Sequence, residues 1–363
     1  MSDRGVSDGD RARGSAGMAR DDATVPASFT PWSWVEDLAV VHRTADRILR
    51  VRGKESRAWL NALLTIDLRS PAPGVARYAL LLTPTGGIVS DLWVVDGAAD
   101  APEEIALVLP MALAEVVFNH LAKFHLNEEA TVAFDDSIRV LTVVGPQAGD
   151  VVAGAPGTVA ALSSDRLGTG GVDVWVASAE ADAITERLCA RARRSGGGGI
   201  VDAAWSAGRV ALGVPLAGVD FDDGMSPHEA GLAGRAVSFS KGCYLGQERV
   251  ARQQRQGGLR RRLVQFDIDG PENAPGGCAV RNLDGSEVGR VTSSVVGGGA
   301  CTSLPALGYV NPTHAAPGVR VTLDERTARV RRVLGHDDAV AAKEASLRAG
   351  HPPQTGEGKK GIL

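Results

Sequence analysis

From about Leu259 to Val333 the chain becomes a series of short β-prone runs divided by Pro and Gly turns. Leu263 to Ile268, Glu287 to Ser293, Ala306 to Val310 and Arg320 to Leu323 are the clearest of them. Strands this short, with turn chemistry between them, pack as a small all-β barrel or sandwich. Such a unit takes up only part of a 363-residue chain. Because single cores stop growing at roughly 250 to 300 residues, the stretch before it has to build at least one core of its own.

That earlier stretch mixes strands and helices. Ile48 to Arg52 alternates like a strand, and Lys54 to Leu64 then puts Trp59, Leu60, Leu63 and Leu64 on one helical face. Arg77 to Leu82 and Ile88 to Val95 flank Thr83-Pro84-Thr85-Gly86-Gly87 and predict a hairpin. Glu104 to Leu109 is strand-like, and Pro110 is placed to open a helix reaching about His125. Ile138 to Val144 and Val172 to Ala177 predict strands, Glu180 to Arg194 a helix, and Gly196 to Gly199 a linker or helix stop. Val201 to Leu212 then predicts a helix that contains Trp205. Strands and helices follow no regular parallel order, so the class is α+β. Residues 1–30 and 336–363 hold too few large apolar side chains to offset the entropy of ordering, and are expected to be disordered tails.

Several function classes drop out on composition. A formal net charge of -4 disfavours a nucleic-acid binder, so no direct nucleic-acid partner is expected. No apolar run approaches the length of a membrane span, and the N-terminus mixes acids with bases, which makes the expected location cytoplasmic. Cys189, Cys243, Cys278 and Cys301 are too widely spread for a Cys-x-x-Cys pattern, and no His-Glu-x-x-His pair occurs, so no metal site is expected. Arginine far outnumbers lysine, which lowers the weight of any single arginine.

The most informative stretch is Lys241-Gly242-Cys243-Tyr244-Leu245-Gly246-Gln247-Glu248. A thiol beside a lysine and ahead of a run with helical potential meets two conditions that favour thiolate, and the glycines allow backbone to approach a ligand. The same pattern also suits a buried structural cysteine on a glycine-rich turn. Downstream, Arg249, Arg252, Arg255 and Arg260 to Arg262 form a basic run, either a solvated face or a hold for a polyglutamate tail or a phosphate-bearing partner. His228 with Glu229 suits acid-base work or, beside Pro227, a turn residue and a cap.

With seven of its eight positions specified, the Lys241–Glu248 stretch resembles the signature of the YgfZ branch of the YgfZ/GcvT superfamily. Gly213-Val214-Pro215, Asp220, Pro227-His228-Glu229 and Val237 to Phe239 precede it in the superfamily's order, and Leu307-Gly308-Tyr309-Val310 is similar to its C-terminal barrel. The resemblance implies a GcvT-like aminomethyltransferase fold: two α+β units of ferredoxin-like type plus a small C-terminal β-barrel around a central folate-sized cavity. It implies a folate-binding region over 31–258, with the second unit at about 135–200, and a barrel over 259–335.

It further implies tetrahydrofolate or another folate as cofactor. The implied role is that of an accessory to iron-sulfur client or assembly proteins, with an indirect link to tRNA modification. Cys243 and Lys241 would be its working groups, and Trp205, Tyr244, Gln247, Glu248, Arg252 and Asp91 its folate contacts. Trp205 stands where the family has a pocket-wall tryptophan, although a core aromatic fits the residue equally well. Where aminomethyltransferases carry adjacent aspartates, the chain reads Ser90-Asp91. A one-residue shift along a strand is expected to turn Asp91 to the opposite face, as a solvated or capping residue. Leu167 to Asp173 lacks the glutamate that holds the pterin in the transferases. An aminomethyltransferase of the glycine cleavage type is the alternative, and a thiol enzyme using Cys243 with His228 as base is a third reading.

Overall fold

The computed structural model describes residues 40–97, 103–296 and 301–335, and the tails expected at 1–30 and 336–363 lie outside them. The described chain opens with β1 (Val40–Arg43) and β2 (Asp46–Arg52), which enter two different sheets. Then come α1 (Ser56–Leu63), β3 (Ala76–Leu82), β4 (Ile88–Asp96), β5 (Glu104–Pro110), α2 (Ala114–Lys123) and β6 (Thr131–Asp135). The first sheet runs β3-β4-β5-β2-β6 and is antiparallel throughout. Trp59, Leu60 and Leu63, spaced as the helical period requires, press α1 onto the face of this sheet that carries Leu49, Val51 and Leu107. Burying each such leucine contributes about 1.5–3 kcal/mol.

The second sheet adds β7 (Ile138–Val144), β8 (Thr158–Ser164), β9 (Gly171–Ala177) and β10 (Gly198–Gly199) in the order β10-β1-β7-β9-β8. It is backed by α3 (Ala148–Val152) and α4 (Ala181–Arg193). The glycine run read as a linker or helix stop also contributes an edge: Gly198 and Gly199 pair in parallel with Val40 and Val41. Pro110 closes β5, and a 3-10 turn over Met111–Leu113 separates it from α2, so the proline does not itself open the helix.

The two sheets face each other. Ile48, Trp93 and Val108 of the first pack with Val140, Leu162 and Trp175 of the second. Arg166, in the β8–β9 connection, clamps both sheets. It meets Asp173 of β9 through two pairs at 2.8 Å and Asp46 of β2 at 2.9 Å.

After α5 (Asp202–Ala211), α6 (Ala233–Ala236) and α7 (Gln247–Gln256), the strands β11 (Arg262–Asp269), β12 (Ala279–Arg281), β13 (Glu287–Ser294), β14 (Ser303–Val310), β15 (Arg320–Leu323) and β16 (Arg326–Val333) close a barrel in the order β11-β14-β13-β12-β15-β16. Closure leaves no open strand edge, and of the two β architectures read from the sequence the barrel is the one formed. Val264, Phe266, Ile268, Val321 and Val330 fill its interior. Buried Gln265 donates to the carbonyls of Val210 and Ala211 at 2.6 and 2.8 Å, which fixes the barrel to the C-terminal end of α5. The α+β architecture with a terminal barrel expected from the sequence is the one observed.

Candidate functional site

A cavity of about 340 Å³ lies where the facing sheets meet α5. His42, Asp46, Asp91, Trp93, Arg166 and Trp205 are among its walls. Its volume falls at the small end of ligand pockets, roughly 300–1,000 Å³.

The expected displacement of Asp91 from the pocket face is overturned. Along β4, Asp91 shares its face with Trp93 and Val95, which pack between the sheets. Ser90 shares the other face with Leu92 and Val94, which pack under α1. Asp91 is therefore the residue that looks into the cavity, and Ser90, 1% exposed, bonds the Asp91 carbonyl from the core side. Nor is Asp91 a solvated or capping residue. Its Oδ2 accepts the Tyr78 hydroxyl at 2.9 Å, and its Oδ1 is enclosed with no protein partner. The residue as a whole remains partly open through the cavity, but its carboxylate is desolvated. That loss of water, only partly opposed by Tyr78, pushes its pKa up to about 6.

The same cavity has an aromatic wall. Trp205, on the first turns of α5, stacks on His42 with ring centroids 4.5 Å apart and planes 12° off parallel. His42 Nε2 meets Asp202 Oδ1 at 2.9 Å, while its Nδ1 is enclosed without a partner. Burial drives the His42 pKa down against the pull of Asp202, so the ring is neutral near pH 7. Trp205 serves both roles read from the sequence, since it also packs with Val144, Leu167 and Leu212. Arg209 also lines the cavity, and its guanidinium reaches Asp220 at 2.7 Å and Ser293 at 2.8 Å, a buried tie between α5 and the barrel.

The signature stretch lies elsewhere. Lys241, Cys243, Tyr244, Gln247, Glu248 and Arg252 are absent from the cavity walls. Cys243 is exposed in a loop, and α7 starts four residues later, so the thiol does not sit on the helix's amide end. The Lys241 ammonium is committed to three carbonyls, Asn61 and Leu64 at 2.6 Å and Ile66 at 2.7 Å. It thereby fastens the loop to the end of α1 and is not held as a counter-charge for sulfur. Burial lowers its pKa to about 8. Tyr244 is half-buried against Leu80, Leu82 and Ile88, and burial raises its pKa to about 12. Gln247 Oε1 accepts the Tyr244 amide at 3.2 Å, and Glu248 is exposed on the first turn of α7.

Glu229 takes the capping role. Its buried carboxylate accepts the Ser226 amide at 3.0 Å and Arg249 at 2.9 Å, while His228 meets Gln254 at 2.8 Å. The sequence reading missed His42, Asp46 and Arg166. His42 lies in a strand it did not assign, and Arg166 was discounted with the other arginines.

A site of this kind offers a flat aromatic wall and, among its enclosed polar atoms without partners, two acceptors, Asp91 Oδ1 and the His42 Nδ1 of a ring whose Nε2 faces Asp202. A planar heterocycle with N–H groups satisfies both, and a pterin is such a ring. No glutamate stands on the β8–β9 connection, and its Asp165 spends Oδ1 on the Gly170 amide at 2.9 Å.

Comparison with known proteins agrees with this architecture. Residues 36–165 match the GCVT N-terminal domain, and residues 261–334 match the glycine cleavage T-protein C-terminal barrel domain. An aminomethyltransferase of Pelodictyon phaeoclathratiforme is 30% identical over 270 residues, covering 68% of this chain and 72% of its own. One from Streptomyces coelicolor is 28% identical over 296 residues, covering 74% and 77%. The crystal structure of glycine cleavage system aminomethyltransferase T from Bartonella henselae superposes with a TM-score of 0.71 at 22% identity, covering 83% of this chain and 87% of that one.

Proposed function

The chain belongs to the aminomethyltransferase family, with the N-terminal and barrel domains of the glycine cleavage T-protein, and on that premise we propose that its central cavity binds a reduced folate and that it acts as an accessory to iron-sulfur proteins. The observation that carries the folate reading is the partnerless Asp91 Oδ1 in the same cavity as the Trp205–His42 stack. Asp91 would accept an N–H of the bound ring, Trp205 would cover its face, and the Arg166 clamp would keep the two sheets at the spacing the ring needs. Bound tetrahydrofolate supplies a one-carbon carrier. The protein supplies orientation and a carboxylate whose pKa burial raises to about 6.

Two features support the accessory role over a transferase. Cys243 is displayed on the surface away from the cavity, where a partner protein can reach it. The β8–β9 connection carries no glutamate, and its single acid, Asp165, already accepts the Gly170 amide through Oδ1.

A second reading, tetrahydrofolate-dependent aminomethyl transfer, is favoured by the names of the relatives and by Asp91 facing the cavity. A general acid or electrostatic partner at that place is what such a transfer requires.

Complementation separates the two. In cells lacking this protein, iron-sulfur enzyme activities should fall and be restored by the wild-type chain but not by Cys243→Ala. Unchanged activities on deletion would sink the accessory role. Tetrahydrofolate-dependent ammonia release by the purified protein with an aminomethyl-loaded carrier would establish the transferase instead. Failure of Trp205→Ala to weaken tetrahydrofolate binding would remove the folate reading from both.

A further inference from the structure

Where α7 runs towards the barrel, a second concavity of about 480 Å³ is lined by Arg249, Arg252, Arg260, Gln253, Gln256 and the backbone of Gly257 and Gly258, with Glu229 in its wall. It shares no lining residue with the central cavity. Three guanidinium groups thus meet one carboxylate, and that carboxylate is already matched. Glu229 Oε2 accepts Arg249 at 2.9 Å and the Ser226 amide at 3.0 Å, while Oε1 accepts the Arg260 backbone amide at 3.3 Å. The side chains of Arg252 and Arg260 have no carboxylate partner among the described residues.

Helix ends do not account for this surplus. Arg255 already occupies the last turn of α7, where a cation complements the carbonyl end of the helix. Arg252 and Arg260 are additional to it. Beside them, the Gln253 side-chain oxygen is enclosed with no partner, and a half-turn of the amide would present its NH2 group there to an anion. At Gly257 and Gly258 nothing stands where a side chain would, so the wall is low on that side.

We propose that this cleft is a second binding site, for a ligand that carries two or more oxyanion charges, as phosphates or as clustered carboxylates. Guanidinium forks bind both groups through paired N–H bonds. The proposal does not depend on the folate reading, because the two sites have no wall in common. Calorimetric titration of the full chain at low salt, with inorganic pyrophosphate and separately with tri-L-glutamate, tests it.

One of the two probes is expected to bind with one-to-one stoichiometry, and the probe that binds identifies phosphate or carboxylate as the chemistry. Arg252→Gln with Arg260→Gln should weaken it at least ~10-fold, and Arg252→Gln alone should weaken it more than Arg187→Gln, the same single loss of charge at an exposed position of α4, which should leave it unchanged. Arg252→Gln alone, at an exposed position, covers the case in which the double variant loses its circular dichroism signal. The proposal fails if neither probe binds, if binding survives loss of the arginines, or if Arg187→Gln weakens it as much as they do.

Discussion

Tyr78 donates its hydroxyl to Asp91 Oδ2 at 2.9 Å, so one oxygen of the cavity carboxylate is anchored and the other is left for a ligand. Desolvation raises the Asp91 pKa to about 6 in the folded chain, against an ordinary value near 3.8. A raised carboxyl contributes stability that is present below the unfolded value and lost as pH rises through the folded one. At neutral pH the ligand-free fold therefore carries a charge it would hold more cheaply unfolded.

Asp91→Asn should stabilise the ligand-free protein at pH 7.5 by up to ~3 kcal/mol, since one pKa unit corresponds to about 1.4 kcal/mol. The gain should shrink towards zero at pH 4. Urea unfolding at the two pH values measures it, and an equal effect at both would show that the Asp91 charge is not desolvated.

Gly246 and Gly242 flank Cys243 within the same signature but face different constraints. At Gly246, φ is +79° and a side-chain carbon would stand 2.4 Å from the Thr83 carbonyl, inside the β3–β4 turn. At Gly242 nothing lies within 4 Å. Gly246→Ala should cost about 2 kcal/mol or more and Gly242→Ala less than about 0.5. Equal midpoints in chemical denaturation would refute the close approach of loop and turn.

The three carbonyls around Lys241 are drawn together by a single charge. Lys241→Met keeps most of the unbranched stem and removes that charge, and should destabilise the fold by ~2–4 kcal/mol. Reactivity of Cys243 should rise in the variant as the loop loosens from α1. A variant as stable as the wild type would mean that water replaces the ammonium without loss.

Thiol accessibility orders the four cysteines. Cys243 is exposed, Cys278 and Cys301 are intermediate, and Cys189 is buried on the inner side of α4. Iodoacetamide at neutral pH should label Cys243 first and Cys189 last, as read by peptide mass mapping over time. Simultaneous labelling of all four would imply global opening.

The chain's own pattern determined the elements wherever one local rule was strong. The Trp59–Leu64 face predicts α1, the Thr83–Gly87 turn predicts the β3–β4 hairpin, and the Pro- and Gly-punctuated runs after Leu259 predict the barrel region. These signals come from periodicity and turn chemistry, which act over a few residues. The Lys241–Glu248 signature likewise carried the family resemblance without reference to contacts.

Only the tertiary structure decided which face of each strand looks inward to the cavity. Alternation along β4 says that Ser90 and Asp91 point to opposite sides. It cannot say which side the second sheet covers, because that depends on strands β7 to β9 folding across β2, β4 and β5. For the same reason His42, in the short strand β1, meets Trp205, which lies 163 positions later, and Arg166 joins Asp46 to Asp173. Lys241, read locally as a neighbour of Cys243, is claimed by carbonyls 175 to 180 positions away. Local sequence sets what each segment can form, and long-range packing sets what its side chains meet.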